Sequence, residues 1–199
     1  MKSNESKVTP IFVIGKNRSG TKWLSNLISN STEVAALQRK EDFGIVEVNL
    51  FTRFPKIFGD LSDYNNYIAF IESFSESNTF KLTGFKKDFL YKINERNYFK
   101  LFNLLMYEYA NTLSKKYWLQ KTNTTILKGG INYFPNSKKI FIERNLVDNI
   151  RSTIALLKTY NNDERKSLFR RVFSYVLESK RIKQYLKNNE NRSDIIYVK

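Results

Sequence analysis

Residues 10–29 constrain the fold more than any other part of the chain. Pro10-Ile11-Phe12-Val13-Ile14-Gly15 is a short β-branched and aromatic run closed by glycine, the pattern of a buried strand. Lys16-Asn17-Arg18-Ser19-Gly20 is turn-like, and Thr21 to Ser29 carries Trp23, Leu24, Leu27 and Ile28 at helical spacing. Strand, glycine-bearing loop and helix in that order form the first half of a βαβ unit, which calls for a parallel sheet. Later segments extend the pattern. Val34 to Leu37, Tyr117 to Lys121, Lys139 to Glu143 and Asp194 to Val198 read as strands. Helices are expected at about 64–74, 95–114, 147–160 and 164–187. Residues 43–54 suggest a short helix or an irregular lid, and 58–94 are the least legible. The expected fold is α/β: one domain over residues 1–199, with three αβα layers around a central parallel sheet and a polar tail at residues 1–9.

The loop between that first strand and helix is placed to hold an anion. Backbone N–H groups of a glycine-bearing turn converge there, and the helix N-terminus adds about half a positive charge. The nucleoside triphosphatase form of such a loop is GxxxxGK[ST]. Here Gly15 and Gly20 have that spacing, but Thr21 stands where the lysine belongs and Lys22 where the magnesium-binding hydroxyl belongs. Arg18 instead puts a fixed cation inside the turn. The pattern suits an anion other than magnesium-bound ATP, although a glycine after a strand is also an ordinary turn.

A second segment, Glu143-Arg144-Asn145-Leu146-Val147-Asp148-Asn149-Ile150-Arg151-Ser152, leaves the clearest interior strand and enters a helix. Arg144 stands at the carboxyl end of that strand, where parallel sheets bind ligands. Ser152 follows about two helical turns later. Arg144 can grip a phosphate with two charged hydrogen bonds while Ser152 adds a hydroxyl. The plainer alternative is a surface arginine paired with Asp148 and a solvent-facing serine.

Together these segments carry a resemblance. Gly15, Arg18, Ser19, Gly20, Thr21, Trp23 and Leu24 resemble the 5′-phosphosulfate loop of sulfotransferases that use 3′-phosphoadenylyl sulfate (PAPS). Lys139 to Arg144, continued to Ser152, resembles the family's 3′-phosphate motif, and Tyr117-Trp118-Leu119-Gln120-Lys121-Thr122 resembles the W-x-x-K-T segment of bacterial and carbohydrate-type members. The resemblance implies a P-loop-like fold and transfer of a sulfuryl group from PAPS to a hydroxyl or amine acceptor, a small molecule or saccharide. It further implies that Arg18, Ser19, Gly20, Thr21, Lys22 and Trp23 cradle the 5′-phosphosulfate. Arg144 and Ser152 would hold the 3′-phosphate, and Lys121 would lie near the sulfonate or acceptor. No metal is expected. Lys22 departs from the second threonine common in the family. Family members generally continue beyond the strand matching Asp194 to Val198, so the C-terminal part of the family domain is expected to be missing here.

Composition narrows the chemistry. The 199 residues contain no His and no Cys, so imidazole and thiol are unavailable as base, nucleophile or metal ligand. Asp, Glu, Tyr, Lys or a substrate group is left as the base. Since sulfotransferases commonly use His or Glu, the resemblance implies a carboxylate if a base is used. Glu41 and Glu47 are the candidates because they follow the second expected strand, where the family places its base. Arg18 and Lys121 are the candidates for stabilising charge on the leaving phosphate.

The +15 net charge raises the possibility of nucleic-acid binding, but no RNP-like pattern or KH-type turn supports it. A P-loop-type kinase is the nearer alternative. Basic residues from Arg165 to Lys187 are read as the solvated face of a helix whose Leu168, Phe169, Val172, Phe173, Val176 and Leu177 face the core. No nucleic-acid partner and no membrane-spanning segment are expected, which leaves a cytoplasmic location as the default.

Overall fold

The computed structural model describes residues 8–39, 44–47, 49–158 and 164–199. In chain order its elements are β1 (Thr9–Gly15), α1 (Thr21–Ser29), β2 (Val34–Ala36), β3 (Gln38–Arg39), β4 (Gly44–Ile45), α2 (Phe54–Phe58), α3 (Tyr64–Ser75) and α4 (Asn78–Lys81). There follow α5 (Asp88–Ile93), α6 (Tyr98–Thr112), β5 (Tyr117–Thr122), β6 (Lys138–Ile142), α7 (Leu146–Lys158), α8 (Glu164–Lys187) and β7 (Ile195–Val198). Val8 is buried and β1 begins at Thr9, so the ordered sheet starts inside the expected tail. The described part of residues 43–54 holds a short 3-10 helix, as expected, and in addition a strand. Strand β4 pairs antiparallel with β3, and the 3-10 helix at Asn49–Phe51 leads to α2.

Five strands form one parallel sheet in the order β2-β5-β1-β6-β7. Numbered along the chain, the sheet strands run 2-3-1-4-5. β1 is central. Its crossover through α1 leads toward β2 on one side, whereas the chain leaving β6 runs through α7 and α8 to β7 on the other. The order therefore reverses between β1 and β6, and ligands of open α/β sheets bind at such a switch, beyond the carboxyl ends of the strands.

Alternation along β1 divides the core into two layers. Phe12 and Ile14 face the larger layer with Trp118, Phe141, the apolar side of α6, and Ile182 of α8. Ile11 and Val13 face a smaller layer closed by Leu24 and Ile28 of α1. Helices thus flank both faces. The larger layer continues outward into an aromatic cluster in which Phe51, Phe70, Phe74, Phe99 and Phe102 meet edge to face or stacked. Helix α6 starts at Tyr98, later than the expected Glu95, because the Asn97 side chain accepts the backbone N–H groups of Phe99 and Lys100 and caps it. No helix among the described residues is long and apolar enough to cross a membrane.

Candidate functional site

The carboxyl ends of β1 and β6 lie side by side, with Gly15 in register with Ile142. The two glycines of the loop have separate physical reasons. A Cβ on Gly15 would sit 2.6 Å from the Ile142 carbonyl oxygen and 2.8 Å from Thr21 Cγ2, so only glycine lets the loop leave the sheet there. Gly20 has φ +95° and serves as the N-cap of α1, with no side chain capping the helix. Between them the chain turns back on itself, the Ser19 N–H donating to the Lys16 carbonyl at 3.1 Å. Arg18 sits in that turn at φ +70°, a left-handed backbone that costs a non-glycine residue roughly 1–2 kcal/mol.

Arg18 is held toward the second motif. Its Nε donates to Ser152 Oγ at 3.0 Å, across 134 residues of sequence. Asn149, fully buried one turn before Ser152, donates from Nδ2 to the Asn17 carbonyl at 3.0 Å and to Ser19 Oγ at 3.3 Å. Helix α7 thereby fixes the loop at three residues, 17, 18 and 19. Ser19 itself is buried.

The loop, α7, α8 and the segment after β5 enclose a cleft of about 640 Å³. Lys16, Arg18, Arg170, Arg171 and Arg181 line it, and Glu178 is the one carboxylate among its described lining residues. Lys16 lies across the ring of Tyr175, 5.1 Å from its centroid, and donates to the Arg171 carbonyl at 3.1 Å. Burial holds the Lys16 ammonium below the usual lysine range, although nearby Glu178 opposes the shift. Glu178 accepts hydroxyl hydrogen bonds from Ser174 at 2.8 Å and Thr124 at 3.2 Å. Behind this wall, Glu143 accepts hydroxyls from Tyr197 at 2.5 Å and from Ser179, while Tyr175 donates to the Arg144 carbonyl. Burial raises the Glu143 pKa, but the Ser179 and Tyr197 hydrogen bonds outweigh it and hold the carboxyl below its ordinary value. This cluster ties the end of β6 to α8 and β7.

The expected site residues are thus partly gathered. Arg18 lines the cleft and hydrogen-bonds Ser152, Ser19 is tied to the cleft-lining Asn149, and Gly20 and Thr21 stand at the entry to α1. Lys22 and Trp23 point from the first turn of α1 with exposed side chains, and Arg144 is exposed and outside the cleft lining. Lys121 is in register with Val13, so it lies on the α1 side of the sheet; its Nζ is 3.4 Å from Glu47 Oε2. Two candidates of unconnected sequence segments therefore form a pair on the other side of the loop from the cleft. Glu41 lies outside the described residues.

The α8 contribution was missed in the sequence. Arg170, Ser174, Glu178 and Arg181 recur at i, i+4, i+8 and i+11 on one helical face. That spacing was the available signal. It was obscured because every fourth residue of this helix is charged or apolar somewhere around its circumference. Lys16 and Asn149 were likewise inside the two motifs without an assigned part.

A scan against models of known protein families and a search of curated proteins gave no match.

Proposed function

We propose that this chain is a PAPS-dependent sulfotransferase of P-loop-like fold, acting on a hydroxyl or amine acceptor. The observation that carries this reading is the Arg18–Ser152 hydrogen bond. It joins the two segments expected to hold the two anionic groups of one nucleotide, at the switch point of a 2-3-1-4-5 sheet. Three further observations support it. The cleft has the size of small-molecule sites, roughly 300–1,000 Å³, and it is lined by five cations and one carboxylate. A non-glycine residue occupies a left-handed position at Arg18, as functional turns often tolerate. The Lys121–Glu47 pair flanks the loop on the opposite side from the cleft.

The residues present fit such a donor. The loop amides of residues 18–21 and the N-terminus of α1 would take the 5′-phosphate, and Ser152 with Arg170, Arg171 and Arg181 would take the 3′-phosphate. When bound, the donor supplies a sulfuryl group on a phosphate that then leaves. Lys16 and Arg18, which line the cleft, would stabilise charge on that phosphate. Glu47, paired with Lys121 at 3.4 Å, would accept the acceptor's proton.

Thermal shift tests the reading with the protein as it stands. Adenosine 3′,5′-bisphosphate is expected to raise the melting temperature clearly above magnesium-ATP at equal concentration, and Arg18→Ala is expected to remove most of that gain. Equal stabilisation by magnesium-ATP would replace this reading with a P-loop kinase. No nucleotide effect, with salt-sensitive oligonucleotide binding, would replace it with a nucleic-acid-binding module.

A further inference from the structure

The outer face of α8 is not explained by the cleft. Phe169, Phe173, Val176, Lys180, Lys183 and Lys187 follow one another at intervals of three or four residues, so they form one stripe along the helix. All six are exposed. Phe169 is 78% and Phe173 57% exposed, and their rings stack on each other at 6.4 Å. Leu177 widens the apolar half. The stripe spans nineteen residues, roughly 27 Å of helix. Its first half is apolar and its second half carries three ammonium groups, with no carboxylate on it. The opposite side of α8 supplies Tyr175 and Ile182 to the interior, so the helix is anchored and this face is left over.

We infer that this face docks the protein on an anionic lipid surface. Such a surface meets both halves of the stripe at once. Acyl chains receive the phenylalanines, lipid phosphates receive the lysines, and the lysine stems lie along the boundary. The face is a convex ridge, which suits an interface plane. A second copy fits it poorly. Pairing in the same direction sets lysine against lysine, and pairing in the opposite direction sets lysine against phenylalanine, with no carboxylate available in either case. The +15 net charge adds long-range attraction to a negative surface.

Flotation of the full chain with lipid vesicles tests the inference. Vesicles of phosphatidylcholine containing phosphatidylglycerol are expected to bind at least about tenfold more protein than pure phosphatidylcholine, with binding that weakens as salt is added. The double variant Phe169→Ser/Phe173→Ser and the double variant Lys180→Glu/Lys183→Glu are each expected to lower binding about tenfold or more. Their melting temperatures should stay near the parent's, because these side chains are exposed. Arg18→Ala, which alters the cleft, should bind vesicles as the parent does. Equal binding to both vesicle types would overturn the inference, as would parent-like binding by both double variants. So would a loss caused by Arg18→Ala, which would assign lipid binding to the cleft. Sedimentation showing a dimer that the phenylalanine variant disperses would assign the face to self-association instead.

Discussion

Lys139 shows how one residue can serve the fold inside a segment read for function. It stands in the central parallel sheet, in β6, and is 2% exposed, where an unpaired ammonium would be very costly. Its Nζ donates to the Ser137 carbonyl at 2.7 Å and to Asp194 Oδ2 at 2.8 Å. Asp194 also accepts from Arg192 Nε and Nη2, each at 2.8 Å. The Arg192 hydrogen bonds, helped by those from Lys139, hold the Asp194 carboxyl far below the usual carboxylate range against the opposing effect of burial. Burial lowers the Lys139 pKa, and the bond to Asp194 only partly offsets it. The signs then follow. A depressed Asp194 contributes stability that is fully present above its unfolded pKa of about 3.9 and is lost as pH falls through the lower folded value. Removing the carboxylate leaves Lys139 buried without a counter-charge. Asp194→Asn is therefore expected to cost about 3 kcal/mol at neutral pH, measured by denaturant unfolding. The deficit should shrink below about pH 4, where the parent begins to lose the same contribution. It should also shrink as pH rises toward the ordinary lysine range, because burial makes the Lys139 ammonium lose its proton earlier than usual. A deficit that does not change with pH would show that the pair is not the cause.

At the scale of elements, legibility followed how local each signal was. β1, α1, β5, β6 and β7 were readable because a strand in a covered parallel sheet is a short apolar run, and α1 has a clear apolar spacing. The loop was readable as an anion site because Gly15 and Gly20 are punctuation that needs no partner to interpret. Its actual grip was not, since Asn149 and Ser152 reach it from more than a hundred residues away. Residues 43–94 were poorly legible for a related reason: their helices are short and their aromatics pack on one another beyond the sheet, so no single periodicity dominates. Helix α8 was found, but its orientation was read wrongly. Phe169, Phe173, Val176 and Leu177 look like a core stripe in sequence, yet all four are exposed, and Arg170, Arg171 and Arg181 line the cleft where a solvated face was expected. A 24-residue helix with apolar residues around most of its circumference offers two possible faces. Tertiary contact with Phe141 and β7 selects the one holding Ile182, Tyr185 and Leu186. Single substitutions separate the faces. Ile182→Ala is expected to destabilise by about 2–5 kcal/mol, the usual cost of truncating a buried isoleucine. Phe173→Ala should stay within about 0.5 kcal/mol, as at an exposed site. Comparable losses at both positions would mean that both faces are covered in solution.

For the whole molecule, charge is the property that most needs an account. Ion pairs such as Lys87–Glu72, Lys81–Glu76 and Lys116–Glu33 lie at the surface. Exposed pairs of this kind contribute about 0–1 kcal/mol each and weaken with salt. The remaining excess of cations repels itself, and five of those cations converge on one cleft. Screening should therefore relieve more than it removes. The melting temperature is expected to rise with sodium chloride up to a few hundred millimolar, the range in which the screening length falls to several ångströms. Two contributions can then be separated by the identity of the anion. Chloride at a given ionic strength screens the general repulsion, whereas sulfate or pyrophosphate at the same ionic strength also occupies the cleft, giving a further, saturable rise. Stabilisation by a ligand that binds only the folded state grows with the logarithm of its concentration above the dissociation constant, which distinguishes it from screening. Arg18→Ala should leave the chloride response intact and flatten the anion-specific part, because Arg18 bridges the loop to Ser152 within the cleft. A melting temperature that falls with salt would mean that the surface pairs outweigh the repulsion. Equal effects of chloride and sulfate in the parent would mean that the cleft gathers cations without selecting an anion, and the reading of the loop as a phosphate site would fail with it.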